Sequence, residues 1–260
     1  MRPDRVEMVG FPEFWQKAHD VNAAAFTAIR NMNPIQEELF SKQVSERLHK
    51  VIRRISKMTY NSLGALTTIL LNGYGNDGMK VARSMFEAGV TVSYLKKYPT
   101  EIDDYLEFYH ILVKRQLNYL DAEDPDRVKA LSAERRAQIE SEYARVRSRF
   151  TNKKGNIRKS WCTMSIFDMA KEVDREDHYR TFYVSASGMH HIDIGGIANQ
   201  SEEESFDVDV APSLNWIDIA LITGHGATIT TMTDYNEIAG HGMDIKLVIA
   251  HEEFKNAWKR

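Results

Sequence analysis

The spacing of apolar residues is the feature that most constrains the fold of this chain. Over most of the 260 residues, apolar side chains recur every three or four positions, and only six prolines interrupt the pattern. That period corresponds to one face of an α-helix, whereas a half-buried strand would alternate at every second residue. We predict helices over, among others, residues 14–29, 36–56, 60–71 and 177–191. The pattern predicts an all-α fold, a multi-helix bundle of about eight helices with no significant sheet.

Composition argues against several classes of protein. The mean hydropathy is −0.45, and no run approaches the ~18 apolar residues that a membrane-spanning helix needs. Cys162 is the only cysteine, so no intrachain disulfide can form, and residues 1–10 contain no apolar signal segment. We therefore expect a cytoplasmic protein with no membrane association. We divide it into an N-terminal helical extension, residues 1–56, and a main helical-bundle domain, residues 57–260, with one continuous domain as the alternative.

Gly73, Gly75 and Gly78 form a G-x-G-x-x-G pattern, which is the fingerprint of a dinucleotide-binding loop. Such a loop functions between a strand and a helix, where glycines let the backbone approach a pyrophosphate. Here the preceding segment has a helical pattern, and no repeated βαβ rhythm follows. We therefore predict a helix–turn–helix break, in which Asn76 or Asp77 caps the next helix.

The helix that follows this break, residues 79–95, is apolar on almost every side, so we expect it to be central and buried. Arg83 and Glu87 stand four residues apart on one face of it. Because unpaired buried charges cost several kcal/mol, Glu87 should pair with Arg83 or Arg180. Two interpretations stay open: an ion pair that fixes helix register, and a polar pocket inside the bundle. In a sealed pair, Glu87→Ala should cost roughly 3 kcal/mol.

A second helix can present Arg180, Ser187 and His191 on one face. At about 100° per residue, these three side chains fall within about 20° of one another, with Tyr183 at the edge of that face. His190 is an adjacent competitor for the histidine position. An imidazole beside an arginine is suited to carry protons in catalysis. A histidine satisfied within the core is the alternative.

Two motifs resemble those of an uncharacterised bacterial family of helical domains that is labelled a domain of unknown function. The first is the run Gly75-Asn76-x-x-x-x-x-x-Arg83-x-x-x-Glu87. The second is the run Tyr183-x-x-x-Ser187-x-x-x-His191. The resemblance spans about residues 55–235. It implies a helical bundle in which these polar residues face each other across two helices, and it implies no established activity.

The second motif departs from the family pattern, which usually begins Tyr-Arg. Here Val184 follows Tyr183, and a Tyr-Arg pair lies one turn earlier, at Tyr179 and Arg180. A looser similarity is to HEPN-type ribonucleases, helical enzymes of bacterial toxin and anti-phage systems. In those enzymes an arginine and a histidine about four to six residues apart stabilise phosphate and move protons without a metal. Arg180 and His191 are eleven residues apart.

A run of basic residues suggests a nucleic-acid interface. Residues 145–159 contain no acidic residue, and aromatic side chains lie within and beside the run. Such a segment is able to hold an RNA backbone and stack bases, while a solvated charged connector is the alternative. The basic residues are Arg145, Arg147, Arg149, Lys153, Lys154, Arg158 and Lys159.

We expect no metal or cofactor, since no H-E-x-x-H motif or Cys/His cluster is present. Three functional hypotheses from different classes remain. The first is a metal-independent, HEPN-like ribonuclease or toxin-type component of bacterial defence that acts on RNA. The second is a non-catalytic module that binds a partner protein or a second copy of itself, with a purely structural polar cluster. The third is a small-molecule sensor, which an apolar cavity with a few polar tips would favour. The proposed catalytic set is Arg83, Glu87, Arg180, Ser187 and His191.

Overall fold

The computed structural model describes residues 12–124, 131–191 and 214–258, with the side chains of residues 12–15 and of His191 outside the description. Helix dominates all three ranges. No strand occurs in them, and an isolated antiparallel bridge joins Thr151 and Ile157. The prediction of an all-α multi-helix fold is therefore confirmed. Residues 193–212, for which two glycines and an acidic run predict a loop, lie outside the described residues.

The chain forms two compact units, the larger of which contains residues 1–97 and 166–260. The helices of this unit are α1 (Pro12–Asn31), α2 (Asn33–Ser41), α3 (Arg47–Leu71), α4 (Gly75–Lys97), α7 (Ile166–Glu172), α8 (Glu176–His178, Tyr179–Tyr183 and Val184–His191), α9 (Ile217–Ala239) and α10 (Asp244–Asn256). The three segments of α8 form one continuous helix, and the second of them is π-helical.

Helix α4 lies at the centre of this larger unit. It packs against α3, α7, α8 and α9, and α9 also packs against α3 and α10. Residues on several sides of α4, including Met79, Ala82, Val90 and Leu95, are fully buried. The expectation of a central, buried helix is confirmed.

The G-x-G-x-x-G run joins α3 to α4 without any strand, as predicted. Gly73 forms the turn with a φ of 80°, a conformation that favours glycine. A Cβ at Gly75 would lie 1.8 Å from the Asn215 carbonyl oxygen, so only glycine fits there. The glycines thus serve a tight helix–turn–helix junction. The predicted capping by Asn76 or Asp77 is wrong, because α4 already begins at Gly75.

The single helix predicted over residues 36–56 is also wrong. Helix α2 ends at Ser41 and α3 begins at Arg47, with Lys42 in an extended conformation. The Arg53 guanidinium donates a hydrogen bond to the Phe40 carbonyl. This contact satisfies a carbonyl that the end of α2 leaves without an intrahelical partner, so a side chain from the next helix stabilises the break.

The smaller unit, residues 98–165, is built on α5 (Ile102–Glu123) and α6 (Ala133–Val146). Ser132 caps α6, because its hydroxyl accepts a hydrogen bond from the Arg135 amide over 3.2 Å. Phe108, Ile111, Val146 and Phe150 form a buried cluster in this unit.

Candidate functional site

Between α4 and α8 lies a polar cluster of Arg83, Glu87 and Tyr183, in which each side chain contacts the other two. The Arg83 Nη2 group donates to the Tyr183 hydroxyl over 2.9 Å, and that hydroxyl donates to Glu87 Oε1 over 2.7 Å. Arg83 Nη2 and Glu87 Oε1 are 3.2 Å apart. The guanidinium also lies 4.9 Å from the centre of the Tyr183 ring, in the range of cation–π attraction. We call these three residues the Arg–Glu–Tyr cluster.

The Arg–Glu–Tyr cluster is only partly closed to water. The Arg83 side chain is 15% exposed, but the Glu87 side chain is 41% exposed. The pairing of Glu87 with Arg83 is confirmed, whereas the assumption that the pair is sealed is wrong. Burial, together with the Glu87 carboxylate, raises the pKa of Tyr183 to about 12. The phenol is therefore neutral near pH 7, so it acts as a hydrogen-bond donor to the carboxylate and not as a base.

Arg180 does not join this cluster. It pairs with Glu176 at 2.6 Å, its side chain is 62% exposed, and its guanidinium lies 5.0 Å from the centre of the Phe167 ring. The reason is the π-helical segment Tyr179–Tyr183. A π-helical turn takes one residue more than an α-helical turn, so the 100° count from Arg180 to Ser187 does not hold.

The other predicted catalytic residues lie further along α8. Ser187 is partly buried one turn beyond Tyr183, and His190 is exposed. His191 ends the helix, and its side chain lies outside the described residues. Val184, at the position where the family pattern has arginine, is 56% exposed. Ser187 thus shares the helix with the cluster, while an arginine next to Tyr183 is replaced by an exposed aliphatic side chain.

The basic run of residues 145–159 lies within the smaller unit, and three of its cations already have carboxylate partners. Arg145 pairs with Glu107 at 2.8 Å, and Arg149 pairs with Glu107 and Asp104. Arg158 lies 3.5 Å from Asp104. RNA phosphates would have to compete with these carboxylates. The other four, Arg147, Lys153, Lys154 and Lys159, are exposed.

The aromatic residues interleaved with this basic run belong to the core of the smaller unit. Phe150 is fully buried, and Tyr143 and Trp161 pack against its cluster. Trp161 also meets the Tyr105 ring at 5.3 Å. These rings are therefore engaged in packing and are not free platforms for bases. The RNA interface stays a prediction that rests on the four exposed cations.

Sequence reasoning missed a cavity of about 420 Å³ in the larger unit. It lies among α4, the start of α8, α9 and α10, and we call it the central cavity. Its walls are mainly apolar, with polar tips from arginine, lysine, histidine, threonine and tryptophan. Its lining residues are Phe86, Gly89, Arg175, His178, Ile222, Thr223, His225, Gly226, Ala227, His251, Phe254, Lys255 and Trp258.

His225 is the most deeply buried polar residue of the central cavity. It is fully buried, and its ring stacks on Phe254 at 3.8 Å and on His251 at 5.6 Å. Neither of its ring nitrogens has a hydrogen-bond partner. Burial lowers the pKa of His225 to about 3, with a smaller effect from His251. The ring is therefore neutral near pH 7 and presents one donor and one acceptor nitrogen.

Arg175 and His178 form another polar part of the cavity wall. Arg175 Nη2 donates to Thr230 Oγ1 over 2.6 Å, but its buried Nε has no partner. Burial lowers the pKa of Arg175. His178 stacks on Phe86 at 5.2 Å, and burial, followed by the charge of Arg175, lowers its pKa.

The central cavity and the Arg–Glu–Tyr cluster share one side chain. Phe86 lies between Arg83 and Glu87 on α4, lines the cavity, and meets the Tyr183 ring at 5.7 Å. A displacement of the Phe86 ring would therefore change the shape of the central cavity and the packing of the Arg–Glu–Tyr cluster. The sequence signal that could have indicated the cavity is His225 itself, an ionisable residue within the apolar and small-residue run of α9.

Residues 49–207 match the sequence profile of DUF5677, a family of unknown function, over more than half of the chain. The chain belongs to DUF5677. The family resemblance inferred from the two motifs is thereby confirmed, while the similarity to HEPN-type ribonucleases is not shown. No curated protein and no solved structure matches the chain. The DUF5677 range contains the Arg–Glu–Tyr cluster, but it ends before α9 and α10, which supply most of the cavity wall.

Within the three described ranges, no group of three or more histidine, cysteine, aspartate or glutamate side chains is placed to hold a metal ion. None of the described helices has both the length and the apolarity of a membrane span.

Proposed function

We propose that this DUF5677 protein binds a small organic molecule in the central cavity and acts as a small-molecule sensor. The observation that carries the proposal is the cavity of about 420 Å³, whose apolar walls hold buried nitrogens of Arg175, His225 and His251 without hydrogen-bond partners. Ligand sites commonly occupy about 300–1,000 Å³ and combine apolar walls with a few polar groups. A ligand with polar atoms would satisfy nitrogens that are costly to leave unpaired.

A route for a response to the ligand supports the sensor role. A ligand in the central cavity would contact Phe86, and Phe86 packs on Tyr183 of the Arg–Glu–Tyr cluster. Glu87 in that cluster is substantially exposed. A shift of the Phe86 ring would therefore alter a polar group that a partner molecule is able to contact.

The test is a thermal-shift screen of a library of small fragments against the full chain and two glycine variants. Gly226 lines the cavity, and a Cβ there would meet nothing within 4 Å, so Gly226→Leu should fill the space. The control is Gly64→Leu in α3, where a Cβ is equally unobstructed; Gly64 lines a separate pocket of about 370 Å³, so this variant fills that pocket and leaves the central cavity unchanged. Fragments should raise the melting temperature of the wild type and of Gly64→Leu, but not of Gly226→Leu. If every fragment shift survives in Gly226→Leu, or if no fragment shifts the melting temperature, the proposal is refuted.

A second candidate function is metal-independent RNA cleavage of the HEPN-like, toxin-type kind that the sequence suggests. The observation in its favour is that an arginine and a partly exposed carboxylate lie at the junction of α4 and α8, with Ser187 one turn beyond Tyr183 on α8. His191 would be the proton carrier and Arg83 the group that stabilises phosphate charge.

The RNA hypothesis is tested with a fluorophore–quencher RNA in EDTA. Wild-type protein should cleave the probe, and His191→Gln should lose cleavage while its melting temperature stays nearly unchanged. A wild-type protein without RNA cleavage, combined with a His191→Gln variant that melts several degrees lower, would assign His191 a structural role and remove this candidate.

A further inference from the structure

The charges around the central cavity indicate what kind of ligand it accepts. Its lining contains two cations, Arg175 and Lys255, and three histidines, but no aspartate or glutamate. The Lys255 ammonium already pairs with Glu252 at 2.8 Å. The cavity wall therefore presents basic groups and no carboxylate.

Arg175 is the cation without a direct carboxylate partner. Among the described residues it forms no ion pair, and its guanidinium donates a hydrogen bond to the neutral Thr230 hydroxyl. The carboxylate that acts on it electrostatically is Asp234. Asp234 is held elsewhere, by Lys96 Nζ at 2.7 Å and by Ser93 Oγ at 2.6 Å. The positive charge of Arg175 is thus only indirectly compensated.

The guanidinium geometry of Arg175 suits an anionic oxygen. One amino group is engaged by Thr230, and the buried Nε–H has no partner. A guanidinium edge donates well to a planar carboxylate, and charge-assisted hydrogen bonds of this kind are stronger than neutral ones. A carboxylate in the cavity would both use this donor and neutralise a charge held in surroundings of low polarity.

The remaining wall limits the ligand to one negative charge on an apolar body. Burial lowers the pKa of His178, His225 and His251, so the three rings are neutral near pH 7 and add no positive charge. Phe86, Ile222, Ala227, Phe254 and Trp258 supply apolar surface. A phosphate dianion would meet one unneutralised cation and extensive apolar wall, whereas a monocarboxylate matches both.

We propose that the ligand of the central cavity is an organic monocarboxylate with an apolar body, and that Arg175 binds its carboxylate. This inference rests on the proposed function and adds the ligand class to it. The carboxylate lies at Arg175, and the apolar body lies against Phe86 and Phe254.

Three probes with the same phenylbutyl body test the inference: 4-phenylbutyrate, 4-phenylbutan-1-ol and 4-phenylbutylamine. Binding to the full-length protein is measured by isothermal titration calorimetry. The carboxylate should bind at least about tenfold more tightly than the alcohol, and the amine should bind most weakly, because its charge repels Arg175.

Two variants of Arg175 and one control test whether Arg175 causes the preference for the carboxylate over the alcohol. Arg175→Gln should reduce the carboxylate to the affinity of the alcohol and leave the alcohol unchanged. Arg175→Lys keeps the charge but not the planar edge, so it should retain part of the preference. The control is Lys171→Gln, which removes an exposed cation of α7 outside the cavity and should change no affinity. Equal melting temperatures of the variants confirm that they fold.

The outcomes separate this inference from the proposed function. If the alcohol binds as tightly as the carboxylate, or if Arg175→Gln leaves the preference intact, the monocarboxylate inference is wrong, even though the cavity is a ligand site. The same holds if none of the three probes binds while library fragments bind in a Gly226-dependent way. If neither probes nor fragments respond to Gly226→Leu, the proposed function itself fails.

Discussion

Two glycines of α9, Gly224 and Gly226, should respond to alanine with opposite signs. They lie two residues apart in the same helix, so the gain in intrinsic helix propensity is nearly the same for both, about 0.8–1.0 kcal/mol. What differs is the surroundings of the added methyl group. At Gly226 a Cβ would meet nothing within 4 Å. Gly226→Ala should therefore raise the free energy of unfolding by about 1 kcal/mol.

At Gly224 the added methyl group would enter a filled core. Its Cβ would lie 2.3 Å from Leu66 Cδ2 and 3.5 Å from the Met85 side chain, and Leu66 is fully buried. Overpacking of this kind typically costs about 1–3 kcal/mol, which exceeds the propensity gain. Gly224→Ala should therefore lower the free energy of unfolding by about 1 kcal/mol. The two variants should differ by about 2 kcal/mol.

The assay is urea denaturation of the full chain followed by far-UV circular dichroism, with the slopes compared to verify that the same surface unfolds. Each kcal/mol should shift the melting temperature by about 2–4 °C in a unit of this size. Because the propensity gain is common to both variants, their difference reports the surroundings alone. Equal effects at the two positions would refute the packing described for α9, and a destabilised Gly226→Ala would show that no cavity lies beside Gly226.

The other predictions use the same denaturation assay. Glu87→Ala should cost only about 1 kcal/mol, because the carboxylate is 41% exposed and water replaces much of the interaction; a loss near 3 kcal/mol would mean a sealed pair. Tyr183→Phe should lower the free energy of unfolding by about 1–2 kcal/mol, since a buried hydroxyl bridges two charged groups. Arg180→Ala should change it by no more than about 0.5 kcal/mol. A larger loss for Arg180→Ala than for Tyr183→Phe would contradict the placement of Arg180. Because burial lowers the pKa of His225 to about 3, the unfolded chain binds the proton between about pH 3 and 6.5 and the folded chain does not. Stability should therefore be full above about pH 6.5 and fall by roughly 1.6 kcal/mol on going to about pH 5. His225→Phe should reduce that loss, and an unchanged pH slope would contradict the burial of His225.

Features that depend on nearby residues could be predicted from the sequence. The helical period is local, since residues three and four apart share a face. It gave the all-α fold, the central helix α4 and the helix–turn–helix at Gly73. The Arg83–Glu87 pair is local in the same sense, because one helical turn brings the two side chains together whatever packs around them.

Features that depend on distant residues could not be predicted. The break after Ser41 contains no glycine or proline, and a contact from Arg53 on the next helix stabilises it. Helical counting placed Arg180 beside Ser187, but the π-helical segment turned it to Glu176. The sequence has no signal for that register change.

The central cavity shows most clearly how features that depend on nearby residues differ from features that depend on distant ones. By sequence alone, His225 was an isolated histidine between two glycines, and its neighbours in the fold were unknown. The other residues of the cavity wall come from elements far apart in the chain, among them Phe86 from α4, Arg175 from the segment before α8, and Phe254 from α10. Local periodicity determines which segments are helical, because it concerns atoms that the backbone already holds close. Which side chains meet, how much space they leave and which polar atoms stay unpaired depend on how the volumes of several helices pack together, and only the tertiary structure decides that.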